Sequence, residues 1–406
     1  MSHAPRVLVT DSARASAIAI IRSLGRRGFE VIAADAEARS PGFYSRYASG
    51  RLRYPSARTA PEAAVAALLE GARSRGVDLI VPVTDETVLL LSESRDRFAG
   101  VSALALPDRD AYAKTRDKLA TLELARSVGV PLPRSELVST TREALAAAPS
   151  LGWPVVLKPR STSVYQDGRL VEHYEVSYAE NARALSEQME RLEGRSDVLL
   201  QEYYPGEGHG VELLVERGRP RAAFQHRRLR EVPITGGASS FRESVALDPV
   251  LYDYAVRLLA ALDWTGLAMV EFKLGRQGPR LMEINGRIWG SLPLAVKSGM
   301  DFPARMAELY LGGSSERNGA PDTRYALGVR SRNLDLEFIW LGSALRGNHG
   351  YHLIPTPGRR QALAVALRLA YPGDGFDVLE FDDPRPGVAD LARIARKLRR
   401  KVRNGR

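Results

Sequence analysis

The chain contains no cysteine. Disulfides, thiolate-bound metals and a thiolate nucleophile are therefore excluded, and the composition is compatible with the cytosol, the expected compartment. No apolar run approaches the 18 residues that a spanning helix needs. Met1-Ser2-His3-Ala4-Pro5-Arg6 leads straight into a strand-like Val7-Leu8-Val9, without a signal-peptide apolar core. Two nucleotide-binding signatures are missing as well. No G-x-x-x-x-G-K-[ST] occurs, so a P-loop fold is rejected. The first strand-to-helix loop, Thr10-Asp11-Ser12-Ala13-Arg14, lacks the G-x-G-x-x-G of a dinucleotide turn. Acids are absent from the last stretch. Arg393 to Arg406 carries eight basic residues, which leaves only +2 of the +10 net charge for everything upstream. The body thus makes no electrostatic case for nucleic acid. With Leu391, Ile394, Leu398 and Val402 among its charges, the tail suits a solvated helix, or an amphipathic one against an anionic membrane surface or acidic partner.

What is present fits a soluble chain of two or three domains. Strand-like Val7–Thr10, Val31–Asp35, Asp78–Val83 and Val101–Leu106 alternate with helical spacings, which predicts a parallel sheet covered by helices. The loop Thr84-Asp85-Glu86 then falls at the carboxyl edge, where open α/β sheets bind ligands. Asp85 is a substrate candidate there, with a helix N-cap as the competing reading of Thr84 or Asp85. A second module starts near Lys114. It holds a helix from Asp117, the strand Pro154-Val155-Val156-Leu157-Lys158-Pro159, a turn at Gln166-Asp167-Gly168-Arg169, and Val198-Leu199-Leu200-Gln201-Glu202. Antiparallel strands through Gly210–Glu216 and Arg221–Arg230 follow, then a helix with Asp248 as cap and Pro249 first. The expected boundaries are 1–113, 114–315 with a small subdomain at about 120–203, and 316–406, the last without a readable motif.

The most informative stretch is a hairpin. Val270-Glu271-Phe272-Lys273 and Leu281-Met282-Glu283-Ile284-Asn285-Gly286-Arg287 flank a turn-like Gly275-Arg276-Gln277-Gly278-Pro279. Folding about Gln277 sets Glu271 opposite Glu283, and strand alternation puts Glu271, Lys273, Glu283 and Asn285 on one face. Two carboxylates directly across a ladder repel by about 4 kcal/mol at an effective dielectric near 20. A cation between them removes that cost, and an all-oxygen ligand set suits Mg²⁺, completed by water and substrate phosphates. Lys158, at the end of an apolar strand, is a point-charge donor suited to polyphosphate.

The ordered motifs Asp117-Lys118-Leu119, strand-Lys158-Pro159, Gln201-Glu202-Tyr203-Tyr204-Pro205-Gly206, Val270-Glu271-Phe272-Lys273 and Met282-Glu283-Ile284-Asn285-Gly286-Arg287 resemble the ATP-grasp superfamily. The resemblance is closest to carboxylate–amine ligases related to carbamoyl-phosphate synthase and biotin carboxylase. It implies a mixed α/β and α+β fold: a parallel-sheet N-terminal domain, a small mobile domain and a larger antiparallel one, with ATP between the last two. It further implies that Lys118 and Lys158 touch phosphates, and that Gln201, Glu202, Tyr203 and Tyr204 read adenine, with Glu202 accepting from the exocyclic amine. Ribose needs a carboxylate or imidazole, and Gly206-Glu207-Gly208-His209-Gly210 offers Glu207 and His209 without choosing between them. Glu271, Glu283 and Asn285 match the ligands of Mg²⁺ (or Mn²⁺), and Arg287 is placed to neutralise the transferring phosphoryl group. Arg228, Gly236, Gly237 and Ser239 resemble the part facing the carboxylate substrate. One departure stands out: Arg160-Ser161-Thr162-Ser163-Val164 lacks the glycine-rich phosphate lid common in the family.

The expected function is an ATP- and Mg²⁺-dependent ligase that activates a carboxylate as an acyl phosphate for attack by an amine and releases ADP. The alternatives are a bicarbonate-dependent carboxylase or carbamoyl-type enzyme, and a non-catalytic ATP-binding sensor or scaffold. The expected partners are small-molecule acids and amines, with a homodimer as the assembly.

Overall fold

Continuous apolar strands need cover on both faces, and they receive it. In the computed structural model, which describes residues 4–160, 163–166, 169–312, 319–347, 350–369 and 371–404, five strands form the first sheet. They are β1 (Arg6–Val9), β2 (Glu30–Asp35), β3 (Gly50–Arg53), β4 (Leu79–Val81) and β5 (Ala103–Leu104), ordered β3-β2-β1-β4-β5 with every neighbouring pair parallel. Helices Ala15–Arg26, Pro61–Arg75 and Asp85–Glu93 make the crossovers. The sheet has one strand more than the apolar runs indicate. β3 is an edge strand whose Arg51 and Arg53 are exposed, so it carries no hydrophobic signature.

The next six strands are β6 (Ser135–Val138), β7 (Val155–Pro159), β8 (Ser163–Gln166), β9 (Arg169–His173), β10 (Ser177–Ala179) and β11 (Val198–Glu202). Four of them form an antiparallel sheet, β10-β7-β11-β6. Val155 and Leu157 pack with Val198, Leu200, Leu185 and Met189 under helices Thr141–Leu151 and Ala182–Met189. Period-two alternation then sends Val156 and Lys158 to the other face. β8 and β9 pair antiparallel as a separate hairpin. Residues 161–162 of the expected lid and 167–168 of the expected turn lie outside the described residues.

The third sheet has seven strands: β12 (Glu207–Glu216), β13 (Arg219–Val232), β14 (Ala238–Ser244), β15 (Gly266–Gly275), β16 (Gly278–Asn285), β17 (Arg330–Arg332) and β18 (Gly375–Phe376). Their order is β16-β15-β12-β13-β14-β17-β18, antiparallel except for β17 with β18. Helix Pro249–Ala261 covers one face. Asp248 caps it, accepting from Val250 N at 2.8 Å and Leu251 N at 3.2 Å.

The motif-free C-terminal region is structured. It supplies β17 and β18 and helices Leu334–Arg346, Arg359–Arg368 and Pro384–Asn404. It also ties the layers together. Buried Arg22 donates to Asp383 Oδ2 at 3.0 Å, Ser45 Oγ to the same oxygen at 2.7 Å, and Lys297 Nζ to Glu380 Oε1 at 3.0 Å. The basic helix is not wholly solvated: Ile394 is buried, and Lys397 Nζ lies 2.6 Å from Asp335. Among the described residues no helix is long and apolar enough to cross a membrane.

Candidate functional site

A cleft of about 670 Å³ runs between the small antiparallel sheet and the seven-stranded one, and hairpin β15–β16 forms much of its floor. The hairpin turn is shorter than the sequence suggests. Gly275 pairs with Gly278, leaving only Arg276 and Gln277 outside the ladder, and Phe272 pairs with Leu281. That register alone would set Glu271 against Met282. A β-bulge between Glu271 and Phe272 adds one residue on β16, and Glu271 pairs with Glu283 instead. The expected apposition is present, but a bulge rather than a longer turn produces it.

Asn285 bridges the two acids, and Arg228 pairs with one of them. Asn285 Nδ2 donates to Glu271 Oε1 at 2.9 Å and to Glu283 Oε1 at 3.1 Å, while Arg228 Nη2 lies 2.5 Å from Glu271 Oε1. Burial pushes the Glu271 carboxyl up to about 7, with Arg228 opposing and Glu283 adding to the rise. Arg228 is held above its ordinary value despite burial, because Glu271 and Glu231 flank it; it also donates to Gly237 O at 2.9 Å. Gly237 is there for space: a Cβ would stand 2.5 Å from Val232 O. Across the cleft, burial lowers Lys158 to about 8, with Glu283 opposing and Lys118 and Lys273 reinforcing. Burial lowers Lys118 and Lys273 as well. Several cations thus converge on two acids that repel each other, an arrangement that a bound polyphosphate and a divalent ion would jointly neutralise.

The donor set can be tested against that ion. Among the described residues no group of three or more His, Cys, Asp or Glu side chains could hold a metal. Two carboxylates and the Asn285 amide remain, all able to offer oxygen donors of the kind a hard cation takes. The residues fit Mg²⁺ provided that substrate phosphates and water complete its shell.

Arg287 reaches the parallel sheet. Its Nε lies 2.8 Å from Asp85 Oδ2, and Tyr112 Oη donates to Asp85 Oδ1 at 3.1 Å. Thr84 is the helix cap, accepting from Thr87 N at 3.4 Å, so Asp85 is left to face the site. Arg287, Glu283 and Lys158 also line an adjoining cavity of about 380 Å³ with Lys118 and Asp85.

The run Gln201, Glu202, Tyr203 and Tyr204, expected to read adenine, lines the cleft. Both oxygens of Glu202 accept from Arg134, from its backbone N at 2.9 Å and its Nε at 2.6 Å, which ties this cleft-lining residue to the small sheet. Gln201 Nε2 donates to Ser135 Oγ at 2.9 Å, and Tyr204 Oη to Gly278 O at 2.6 Å. Lys273 Nζ lies 5.4 Å from the Tyr203 ring centroid. Glu207 and His209 are a correction. His209 Nε2 lies 2.8 Å from Glu207 and its Nδ1 3.1 Å from Gln225 Nε2, on the helix-covered side of β12. Gly208 is the cleft-facing residue, so period-two alternation turns both ribose candidates away. Gly236, Gly237 and Ser239 do line the cleft.

Two features were missed. His226 Nδ1 lies 3.0 Å from Glu212 Oε1, close but not aligned as a hydrogen bond, and both side chains are fully buried. Burial pushes His226 well below its usual range and Glu212 well above its own. An acid inside the apolar run Val211-Glu212-Leu213-Leu214 was the available signal. Helix Leu334–Arg346 also borders the cleft, and it lies in the region without motifs.

Residues 194–333 match the family described as ATP-grasp in the biosynthetic pathway with Ter operon. The carbamoyl phosphate synthase large chain of Thermus thermophilus is 26% identical over 263 residues, 61% of this chain and 24% of that one. The 3-methyl-D-ornithine–L-lysine ligase of Methanosarcina mazei is 26% identical over 260 residues, 63% of this chain and 61% of its own. The chain thus spans less than two thirds of either relative's length. Biotin carboxylase from Campylobacter jejuni superposes with a TM-score of 0.62 at 18% identity, covering 81% of this chain and 74% of that one. Part of the cleft lies in the segment matched by the ATP-grasp family, and the chain has the ATP-grasp fold, with carbamoyl phosphate synthase and an amino-acid ligase among its sequence relatives.

Proposed function

We propose that the protein is an ATP-dependent ligase that transfers the γ-phosphoryl group of ATP to a substrate carboxylate, after which an amine displaces phosphate to form an amide. The observation that carries this reading is the convergence of Lys158, Arg228, Glu271, Glu283, Asn285 and Arg287 on one cleft. The ligase named among the relatives supports the amine acceptor. Glu271, Glu283 and Asn285 would hold Mg²⁺, which when bound supplies charge neutralisation to the phosphates. Lys158 and Lys118 supply point charges for the polyphosphate. Arg287, fixed by Asp85, stabilises negative charge as the phosphoryl group moves, and Arg228 orients the carboxylate that receives it. No side-chain nucleophile is required, in keeping with the absence of cysteine.

The test is incubation with ATP, Mg²⁺, pooled carboxylic acids and hydroxylamine. ADP together with a trapped hydroxamate is the expected result. AMP would mean adenylation and reject the mechanism. ADP release that needs bicarbonate but no organic acid would transfer the reading to a carboxylase.

A further inference from the structure

The matched family segment ends at residue 333, yet the helix that begins at Leu334 forms a wall of the cleft. Its cleft-lining residues are Leu336, Ile339, Trp340, Ser343 and Arg346, whose spacings of three, four and seven define one helical face. That face is apolar along most of its length, and Val232 and Ile234 border the same space. Ile339 is 43% exposed although its neighbours are packed, so the wall is open to a ligand.

The helix is rigidly placed. Fully buried Glu337 accepts through Oε1 from Ser240 Oγ at 2.7 Å and Arg230 Nε at 3.0 Å. Its Oε2 accepts from Arg230 Nη2 at 2.5 Å and Arg332 Nη1 at 3.0 Å. The Arg230 guanidinium in turn lies 5.5 Å from the Trp340 ring centroid. At the inner end, Leu336 also lines an adjoining cavity of about 250 Å³ beside Gly290, three residues beyond Arg287. At the outer end, Arg346 Nε donates to Gly342 O at 3.1 Å, and among the described residues its two terminal nitrogens have no protein acceptor. Ten residues of helix separate the two ends, about 15 Å at 1.5 Å per residue.

We propose that helix Leu334–Arg346 is a specificity wall for the substrate other than ATP, and that this substrate is an elongated apolar molecule whose far end carries an anionic group paired by Arg346. The proposal rests on the ligase reading and deepens it. The reacting group lies at the inner end near Arg287, so the anionic group is a second one, about 15 Å away. A short apolar peptide with a free carboxylate and a long-chain dicarboxylate share this chemistry, since a tetrapeptide extends about 14 Å.

The test is calorimetric binding to the full chain, with two matched probe pairs: Leu-Ala-Leu-Ala against its C-terminal amide, and dodecanedioate against 12-hydroxydodecanoate. In at least one pair the member with the additional carboxylate should bind about tenfold more tightly, the contribution of a charge-assisted hydrogen bond. Arg346→Ala should erase that difference, and Ile339→Ser should weaken both members of the pair alike. The pair that discriminates identifies the source. Equal binding within both pairs, binding by none of the probes, or a preference that survives Arg346→Ala would overturn the proposal. ADP release under the same conditions separates the two readings. Turnover of short acids without any length or charge preference sinks only the wall. Discrimination by Arg346 with no ADP release for any acid sinks the ligase.

Discussion

Arg287 Nε lies 2.8 Å from Asp85 Oδ2, although 202 residues separate the two in sequence. The segment after β16 is thereby oriented by the first turn of a helix on the parallel sheet. Arg287→Ala is expected to lower ADP formation by about 10² to 10³, the scale of losing one preorganised donor. Asp85→Asn removes only the orienting charge and should cost about tenfold. A steady-state assay of ADP release checks both. An Asp85→Asn variant as fast as the parent would reduce the pair to a structural brace.

Glu283→Gln separates stability from function. It removes a repulsion across the ladder, so in metal-free buffer the variant should be more stable by about 1 kcal/mol. It should also lose ATP turnover. Chemical denaturation and ADP release together test this, because a purely structural role would lower both or neither.

The same pair of acids predicts a metal response. Mg²⁺ with a nucleotide should raise the melting temperature of the parent protein more than either does alone, as binding to the folded state requires. Glu271→Gln and Glu283→Gln should each abolish that synergy. Scanning calorimetry at fixed nucleotide reads it directly, and undiminished synergy in both variants would count against these ligands.

Glu180 links the small sheet to the C-terminal region. Its carboxylate accepts from His352 N at 2.7 Å, Leu353 N at 2.6 Å and Ile354 N at 3.1 Å. Glu180→Ala should speed amide hydrogen exchange at residues 352–354 by about tenfold or more while leaving the parallel sheet unchanged. Mass-spectrometric exchange resolves the two regions, and unaltered protection would show that other contacts hold the segment.

The clamp at Glu380 gives a pH dependence. Burial raises this carboxyl, but Lys297, Arg22 and Arg26 outweigh it and hold it below the usual glutamate range. A depressed carboxylate contributes stability above its unfolded value of about 4.3, and that contribution is lost as pH falls through the lower folded value. The denaturation midpoint of the parent should therefore fall more steeply below about pH 4 than that of Glu380→Gln. Parallel acid limbs would show that the clamp is energetically silent.

Much of this was legible in the sequence. Leu79-Ile80-Val81 could only be a strand covered on both sides, and Asp248-Pro249 marked a helix start that the structure contains. The apposed acids were legible because antiparallel pairing leaves few registers. The bulge at Met282 was not, since a one-residue irregularity has no composition. Glu207 and His209 failed for a different reason. His209 shares parity with Val211, Leu213 and Val215, which pack under helix Pro249–Ala261, and that pattern names the buried face. The glycines between them drew attention to the motif rather than to the alternation. Helix Leu334–Arg346 was illegible because its placement depends on Glu337 meeting Arg230, 107 residues away.

The irregular register of β15–β16 has a consequence for how this hairpin can change length. Shifting the pairing of β16 against β15 by one residue would rotate the second acid onto the opposite surface. Length variation within the ladder is therefore restricted to even steps, or to odd steps offset by creating or erasing a kink. A protein engineer altering the ladder here has parity, not size, as the governing constraint.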